Sequence, residues 1–401
     1  MATAVLRLKR GREDRARVHP WIFKGDVADV SDVAPGSAVT IVDASGRFVG
    51  RGFFNPRPAL CCRVLTRRDE LLDREFLKRR LSGAVTRRQE AARDEATVAP
   101  RLGRLVWSEG DGMAGLVVDR YDGALVLQCL TLGMARMRSA VLDALAAVVG
   151  DLPVFAWDDE IAGRFEGFEP ARAWVTTCGL PPSRLEEPVV VEETPVRFEV
   201  IFGHGQKTGL YLDQGENRRT IGRVARGRRT LDAFAYTAGF ACHALAGGAP
   251  SAVCIESSGP ALAAARRNLE LNGVLHRAEI RSGNVFDELR QLERAGDRFG
   301  LVVLDPPPFA RSRDAVPAAA RGYKEINLRA MRLLEPGGML ATFSCSYHVS
   351  EELFADVCRD AAADAGVTLR VLRRLGQSRD HPVLLTVPET GYLKGLLLEA
   401  V

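Results

Sequence analysis

Five segments of the sequence place groups capable of chemistry directly after an apolar run. In the first, Asp232-Ala233-Phe234-Ala235-Tyr236-Thr237-Ala238-Gly239-Phe240 follows Arg229-Thr230-Leu231. A turn there brings backbone N–H groups towards a ligand at a helix N-terminus, and Gly239 permits close approach. The segment lacks the G-x-G-x-x-G spacing of a dinucleotide fingerprint, and alone it is equally a simple turn. Glu256 ends the next run, 24 residues after Asp232, a spacing at which an acid grips a ribose hydroxyl pair. The plain alternative is an exposed acid starting a helix beside Ser257 and Ser258. In Gly283-Asn284-Val285-Phe286 the amide of Asn284 suits the edge of an adenine.

The fourth segment is Asp305-Pro306-Pro307-Pro308-Phe309. Its prolines fix an extended backbone and remove N–H donors, so the loop offers its carbonyls and Asp305 rigidly. The fifth, Ser344-Cys345-Ser346, puts a thiol at the end of a neighbouring strand, where it can act as a nucleophile. Cys242, Cys254 and Cys358 read instead as small buried hydrophobes. The eight cysteines include no Cys-x-x-Cys pair, and no Cys/His cluster has zinc spacing. No metal is expected, and free thiols fit a reducing, cytoplasmic setting.

These groups need a scaffold. Apolar runs at 229–235, 252–257, 278–284, 301–307 and 338–346 alternate with helical stretches at 240–246, 260–272, 287–295 and 321–334. That rhythm predicts a doubly wound parallel sheet with its ligand site at the carboxyl ends of the strands. Upstream, residues 1–66 read as short strands broken by Pro35-Gly36 and Ser45-Gly46, a pattern of small barrels. From 69 to 95 the pattern turns helical, with Leu71, Leu72, Phe76, Leu77 and Leu81 as its apolar stripe. Residues 102–180 read as an α+β unit with a hairpin at Asp122-Gly123 and a helix at 135–149. Pro181-Pro182 and the acidic stretch 186–188 mark a linker. The expected domains are 1–70, 71–185 and 186–401.

The chain has 401 residues, 46% hydrophobic and 26% charged, a globular balance. No apolar run reaches the roughly 20 residues needed to span a bilayer, and the N-terminus has no secretory pattern, so no membrane association is expected. Net charge is only +4, but residues 1–100 carry 20 Lys and Arg against 13 Asp and Glu, leaving the remainder at −3. This asymmetry suggests an anionic partner for the N-terminal part; an arginine-rich solvated surface reads the same way.

Together the strand-end motifs resemble the class I S-adenosylmethionine-dependent methyltransferases. More closely, the chain resembles the bacterial large-subunit ribosomal RNA (cytosine-C5)-methyltransferases that carry an N-terminal PUA domain. The likeness runs through His19-Pro20-Trp21-Ile22-Phe23, Gly110-Asp111-Gly112 and Val118-Asp119-Arg120. It continues through 204–214, the five motifs above, Arg321-Gly322-Tyr323-Lys324, Asp380-His381-Pro382 and Tyr392-Leu393-Lys394-Gly395. The resemblance implies an α/β protein, with a Rossmann-like methyltransferase domain, an N-terminal PUA β-barrel and a small α+β middle domain. It implies S-adenosylmethionine as cofactor and large-subunit ribosomal RNA as partner; a homodimer is left open.

By the same resemblance, the segment containing Phe234, Tyr236, Thr237 and Gly239 cradles the cofactor's methionine part. Glu256 takes its ribose and Asn284 its adenine. Lys207, Thr208, Asp213 and Gln214 line the pocket entrance. Asp305 contacts cofactor surroundings and base, Cys345 is the nucleophile, and Pro306, Pro307, Phe309 and Tyr347 meet the RNA. The chain departs from the family at Gly215, where arginine is usual, at Asn284, where aspartate is usual, and at Tyr347-His348, where glycine and an apolar residue are usual. Two other readings stand beside this one. An amino-group RNA methyltransferase needs an Asp/Asn-Pro-Pro-aromatic loop, from which Pro308 displaces Phe309 by one place. A ribosome-assembly factor that binds RNA without catalysis is the third.

Overall fold

A computed structural model describes residues 4–94, 101–203 and 209–401. Its chain divides into two compact units. One comprises Met1–Val189, Ile201–Leu210 and Arg379–Gly391, the other Val190–Val200, Tyr211–Ser378 and Tyr392–Val401.

The first unit holds two sheets. Strands β1 (Val5–Leu8), β2 (Trp21–Phe23), β3 (Val27–Val30), β4 (Ser37–Val42), β5 (Phe48–Phe54) and β6 (Leu60–Thr66) pair in the order β2-β6-β5-β4-β1-β3. A short helix, α1 (Glu13–Val18), follows β1. Leu6, Leu8, Ile22, Val39, Ile41 and Cys62 form the core of this sheet. Next comes α2 (Arg74–Asp94), whose first turn is capped by the Asp73 carboxylate accepting from Phe76 N at 3.0 Å. Phe76, Leu77 and Leu81 are buried as their spacing requires, but Leu71 precedes the helix and is 64% exposed. Leu72 also precedes the helix but packs half-buried against the same core, so Leu71 alone leaves the expected stripe.

The second sheet has β7 (Leu102–Trp107), β8 (Leu116–Tyr121), β9 (Ala124–Cys129), β10 (Val154–Trp157) and β11 (Arg172–Thr176), in the order β11-β10-β9-β8-β7. Asp122, at φ 55°, and Gly123 close the β8–β9 hairpin. Helices α3 (Leu132–Arg136), α4 (Arg138–Val149) and α5 (Glu160–Glu166) complete the unit, and α6 (Pro182–Glu186) occupies the predicted linker.

The second unit opens with a hairpin, β12 (Val189–Glu193) and β13 (Val196–Val200), and α7 (Gly215–Val224). Then β14 (Thr230–Ala233), α8 (Gly239–Ala246), β15 (Ala252–Glu256), α9 (Gly259–Leu271), β16 (Ala278–Ser282), α10 (Val285–Ala295), β17 (Phe299–Leu304), α11 (Val316–Arg332), β18 (Leu334–Ser344) and α12 (Glu351–Ala365) alternate. β19 (Leu369–Gly376) and β20 (Lys394–Ala400) end the chain, and the sheet order is β16-β15-β14-β17-β18-β20-β19. Five strands are parallel, as the rhythm predicts. The sheet is nevertheless mixed, because β20 inserts antiparallel between β18 and β19. No crossover helix separates β19 from β20, so nothing enforces the right-handed parallel connection there. The order reverses between β14 and β17, which makes their carboxyl ends the topological switch point.

Candidate active site

All five predicted strand-end motifs lie on the carboxyl edge of the parallel strands. After β14 the chain turns so sharply that Phe234, Tyr236 and Ala238 take φ of 64°, 49° and 60°. Left-handed backbone at non-glycine residues is costly and clusters where a turn must aim its groups. Gly239 follows because a Cβ there would stand 2.9 Å from Arg218 Cδ. Arg218 is itself buried and gripped by Glu193, with Nε and Nη2 donating to its two oxygens at 2.7 and 2.6 Å. Burial would raise the Glu193 carboxyl, but Arg218 and His243 override it and hold it well below the usual range. Arg218 Nη1 also donates to Tyr211 O at 2.8 Å. Sequence spacing could not reveal this clamp, since Glu193 and Arg218 come from different elements.

Beneath the turn sits Asp232, fully buried. Its Oδ2 accepts from Ala241 N at 2.9 Å, and its Oδ1 has no hydrogen-bond partner among the described residues. Burial raises this carboxyl to about 8, the Ala241 N–H opposing and the charges of Asp305 and Glu256 adding. The Glu256 carboxylate accepts from Tyr236 N at 3.0 Å, Ser257 N at 2.8 Å and Ser258 N at 2.9 Å. It thus ties the ends of β14 and β15 together. Thr237 O accepts from the buried Asn268 at 3.0 Å. Asn284 is the N-cap of α10, its Oδ1 accepting from Phe286 N at 2.9 Å, which commits its oxygen and leaves its amide N–H groups to point elsewhere.

Asp305 Oδ1 accepts from Gln214 Nε2 at 2.9 Å, and Gln214 Oε1 from Asn217 at 2.6 Å. Asp213 is buried and accepts from the Tyr392 hydroxyl at 2.5 Å. Predicted residues from three distant segments therefore meet around β17. Lys207 and Thr208 lie outside the described residues.

Cys345 is half-buried, and its Sγ points at Pro306 O across 3.7 Å. The thiol and the proline loop, 39 residues apart, are in contact. Pro306 is buried while Pro307 is exposed. A small network holds both loops. The Tyr323 hydroxyl lies 3.0 Å from Ser344 Oγ and 2.9 Å from Ser346 Oγ, and Ser346 Oγ accepts from Ala310 N at 3.1 Å. Lys394 Nζ donates to Ser346 O at 2.7 Å and Val349 O at 2.6 Å. Burial pushes this ammonium down to about 8, against the opposing pull of Cys345 and Glu351. Tyr323 and Lys394 were visible in the sequence only as parts of longer motifs.

The aromatic residues divide. Phe309 packs on Tyr323, with ring centres 4.6 Å apart, and on Phe286 at 6.0 Å. Tyr347 is 52% exposed, its ring edge against His348. Asp380 belongs to the other unit, where its carboxylate accepts from Arg104 N at 2.7 Å.

Comparison with known proteins agrees with this architecture. A family model described as S-adenosylmethionine-dependent methyltransferase matches residues 167–398, and a PUA-like domain matches 6–67. The chain is 36% identical to ribosomal RNA large subunit methyltransferase I of Erwinia tasmaniensis, over 100% of both chains. It is 39% identical to the protein of that name from Klebsiella pneumoniae (strain 342), over 97% of this chain and 96% of that one. Among solved structures, "SMU.776, a putative methyltransferase complexed with SAH" superimposes with a TM-score of 0.84 over 98% of this chain and 99% of that one. At 17% identity that likeness speaks for the fold alone. The chain is an S-adenosylmethionine-dependent methyltransferase of class I fold with an N-terminal PUA-like domain, and it belongs to the ribosomal RNA large subunit methyltransferase I family.

Proposed function

We propose that the protein methylates C5 of a cytosine in large-subunit ribosomal RNA through a covalent bond from Cys345 to C6. The observation that carries this reading is the contact of Cys345 Sγ with Pro306 O, one residue from Asp305, on neighbouring strand ends. Relatives along the whole chain bear a name that states a large-subunit ribosomal RNA substrate.

The strand-end groups fit the cofactor. The charges of Glu256 and Asp305 both reach the buried Asp232, and the buried cation that also acts on it, Arg218, is already bound to Glu193. A sulfonium compound suits such an acidic edge. The turn carrying Phe234, Tyr236, Thr237 and Gly239 would hold its amino-acid part, Glu256 its ribose and Asn284 its adenine. Asp305, Asp213 and Gln214, with Lys207 and Thr208, would border the pocket. Bound there, S-adenosylmethionine supplies an electrophilic methyl group.

Carbon 5 of cytosine is too weak a nucleophile to accept that methyl unaided. Addition of the Cys345 thiolate to C6 turns C5 into an enamine-like carbon. The Asp305 carboxyl, with a proton on the oxygen that Gln214 does not hold, donates to N3 as negative charge develops there, and Gln214 fixes its other oxygen. Lys394 places a cation beside the loop from which the thiolate attacks. After C5 is methylated, its proton leaves to a base and the S–C6 bond breaks. The target base must be unpaired or extruded, and the exposed Tyr347 ring is the better candidate to stack on it, since Phe309 is already packed on Tyr323 and Phe286. We assign phosphate contacts to domain 1–70, the middle domain to 71–185 and chemistry to 186–401, in a cytoplasmic protein.

Nucleoside mass spectrometry on ribosomal RNA treated with the purified protein tests the product. 5-Methylcytidine is expected, whereas a base methylated on nitrogen supports the amino-group reading. Cys345→Ala is expected to abolish product while affinity for S-adenosylhomocysteine stays within about twofold; unchanged turnover overturns the covalent scheme.

A further inference from the structure

The first unit contains a cavity of about 520 Å³, between the end of β6, helix α2, the turn at 108–112 and residues 384–387. That volume lies within the range of small-ligand sites. Every cation in its lining is an arginine: Arg67, Arg68, Arg79, Arg80 and Arg87. Three acids share the wall, and each is already engaged. Asp111 accepts from Arg87 at 2.6 Å, from both Nη atoms of Arg88 at 2.8 and 2.7 Å, and from Trp107 N at 2.6 Å. Glu70 takes Arg79 and the Thr66 hydroxyl, each at 2.5 Å. Glu109 takes Trp21 Nε1 at 2.9 Å and the Ser108 hydroxyl at 2.5 Å.

Arg67, Arg68 and Arg80 therefore remain without a carboxylate within 4.0 Å among the described residues. Arg80 is half-buried against the Phe76 ring and, among the described residues, donates to Leu65 O alone, at 3.0 Å. Arg67 donates to Ala16 O at 3.3 Å, and partial desolvation and the Arg80 charge both lower its guanidinium from the ordinary value. The Glu70 charge reaches Arg80, but Arg68, Arg79 and Arg87 oppose it. Such an excess of cations is stabilised by an added anion, and the planar guanidinium fork matches phosphate oxygens in pairs.

We infer that this cavity binds the phosphodiester backbone of the RNA substrate, with Arg67, Arg68 and Arg80 supplying the charge. The inference rests on the reading of RNA as substrate and adds that the phosphate contacts extend beyond domain 1–70 to Arg80 on α2. The contacts are to phosphate, so they position the strand and carry no sequence information.

The test uses the full chain and a fluorescently labelled single-stranded fragment of large-subunit ribosomal RNA, titrated across a salt series. Arg67→Gln/Arg68→Gln is expected to weaken binding about tenfold near 0.1 M salt and to lower the log–log salt slope by about 1.4, roughly 0.7 for each lost phosphate contact. Glu70→Gln, which releases Arg79 into the cavity, is expected to tighten binding about threefold, a gain that misfolding cannot mimic. Both variants should bind S-adenosylhomocysteine as the wild type does. If the double variant keeps the wild-type affinity and slope, the cavity assignment is overturned while the RNA reading survives. If the wild-type chain binds no RNA, both fall. If polyglutamate, and not RNA, loses affinity in the double variant, the cavity serves an acidic protein and the proposal is overturned.

Discussion

In the sequence Asp232 is only the start of a turn, yet in the fold it is a fully buried carboxyl. A carboxyl that ionises near 4 in an unfolded chain is held protonated to about 8 by burial. The sign follows from proton binding. Between about pH 4 and 8 the folded form holds a proton that the unfolded form has lost, so stability falls as pH rises through this window. Asp232→Asn removes the titration while keeping an oxygen to accept from Ala241 N. Thermal unfolding without cofactor should therefore show the variant gaining on the wild type between about pH 5 and pH 8, by a few kcal/mol. A variant less stable by the same amount at both pH values would show that the buried charge is not felt. Cys345, Asp305, Glu256 and Asn284 were legible because each ends an apolar run. Arg218 and Glu193 were not, since a bond between residues 25 apart on separate elements leaves no periodic trace.

At the scale of elements, α11 and β20 hold the loop of Cys345, although neither carries the proposed nucleophile. Tyr323 on α11 bridges the serines on either side of Cys345, and Lys394 at the start of β20 ties down the carbonyls of residues 346 and 349. Tyr323→Phe leaves two buried hydroxyls short of a partner, a loss of about 1–3 kcal/mol. Its expected signature is a kcat reduced about tenfold with affinity for S-adenosylhomocysteine unchanged, because only the thiol loop shifts. Lys394→Met removes the cation beside the thiol. Iodoacetamide modification of the Cys345 peptide near neutral pH should slow about tenfold, as an opposite charge nearby favours the thiolate. Wild-type alkylation rates in that variant would deny Lys394 an electrostatic role. As pH rises through about 8, Lys394 loses its charge, so the difference between wild type and variant should shrink there. The parallel strands were predictable from apolar runs bounded by helices. β19 was not: its Arg370, Arg373 and Arg374 obscure the apolar pattern of a strand that is largely exposed. α7 was hidden likewise by four charged residues in ten.

Over the whole molecule the same charges act at two ranges. The first 100 residues carry a net +7, and the arginine cavity lies largely among them, whereas the candidate cofactor site is built from acids and backbone groups of the second unit. This asymmetry was legible in composition, but not which arginines find a carboxylate partner among the described residues, which depends on where Asp111, Glu70 and Glu109 are engaged. Binding to a polyanion releases condensed counterions and weakens steeply with salt, while a small cofactor held by short-range hydrogen bonds releases few. If three phosphates are neutralised, RNA affinity should fall roughly twentyfold between about 50 and 200 mM salt. Across that range kcat at saturating RNA and affinity for S-adenosylhomocysteine should change less than about twofold. Steady-state kinetics at several salt concentrations, with calorimetry for the cofactor product, read the two separately. A salt-insensitive KM for RNA would mean that base contacts in the second unit, and not phosphate contacts in the first, hold the substrate.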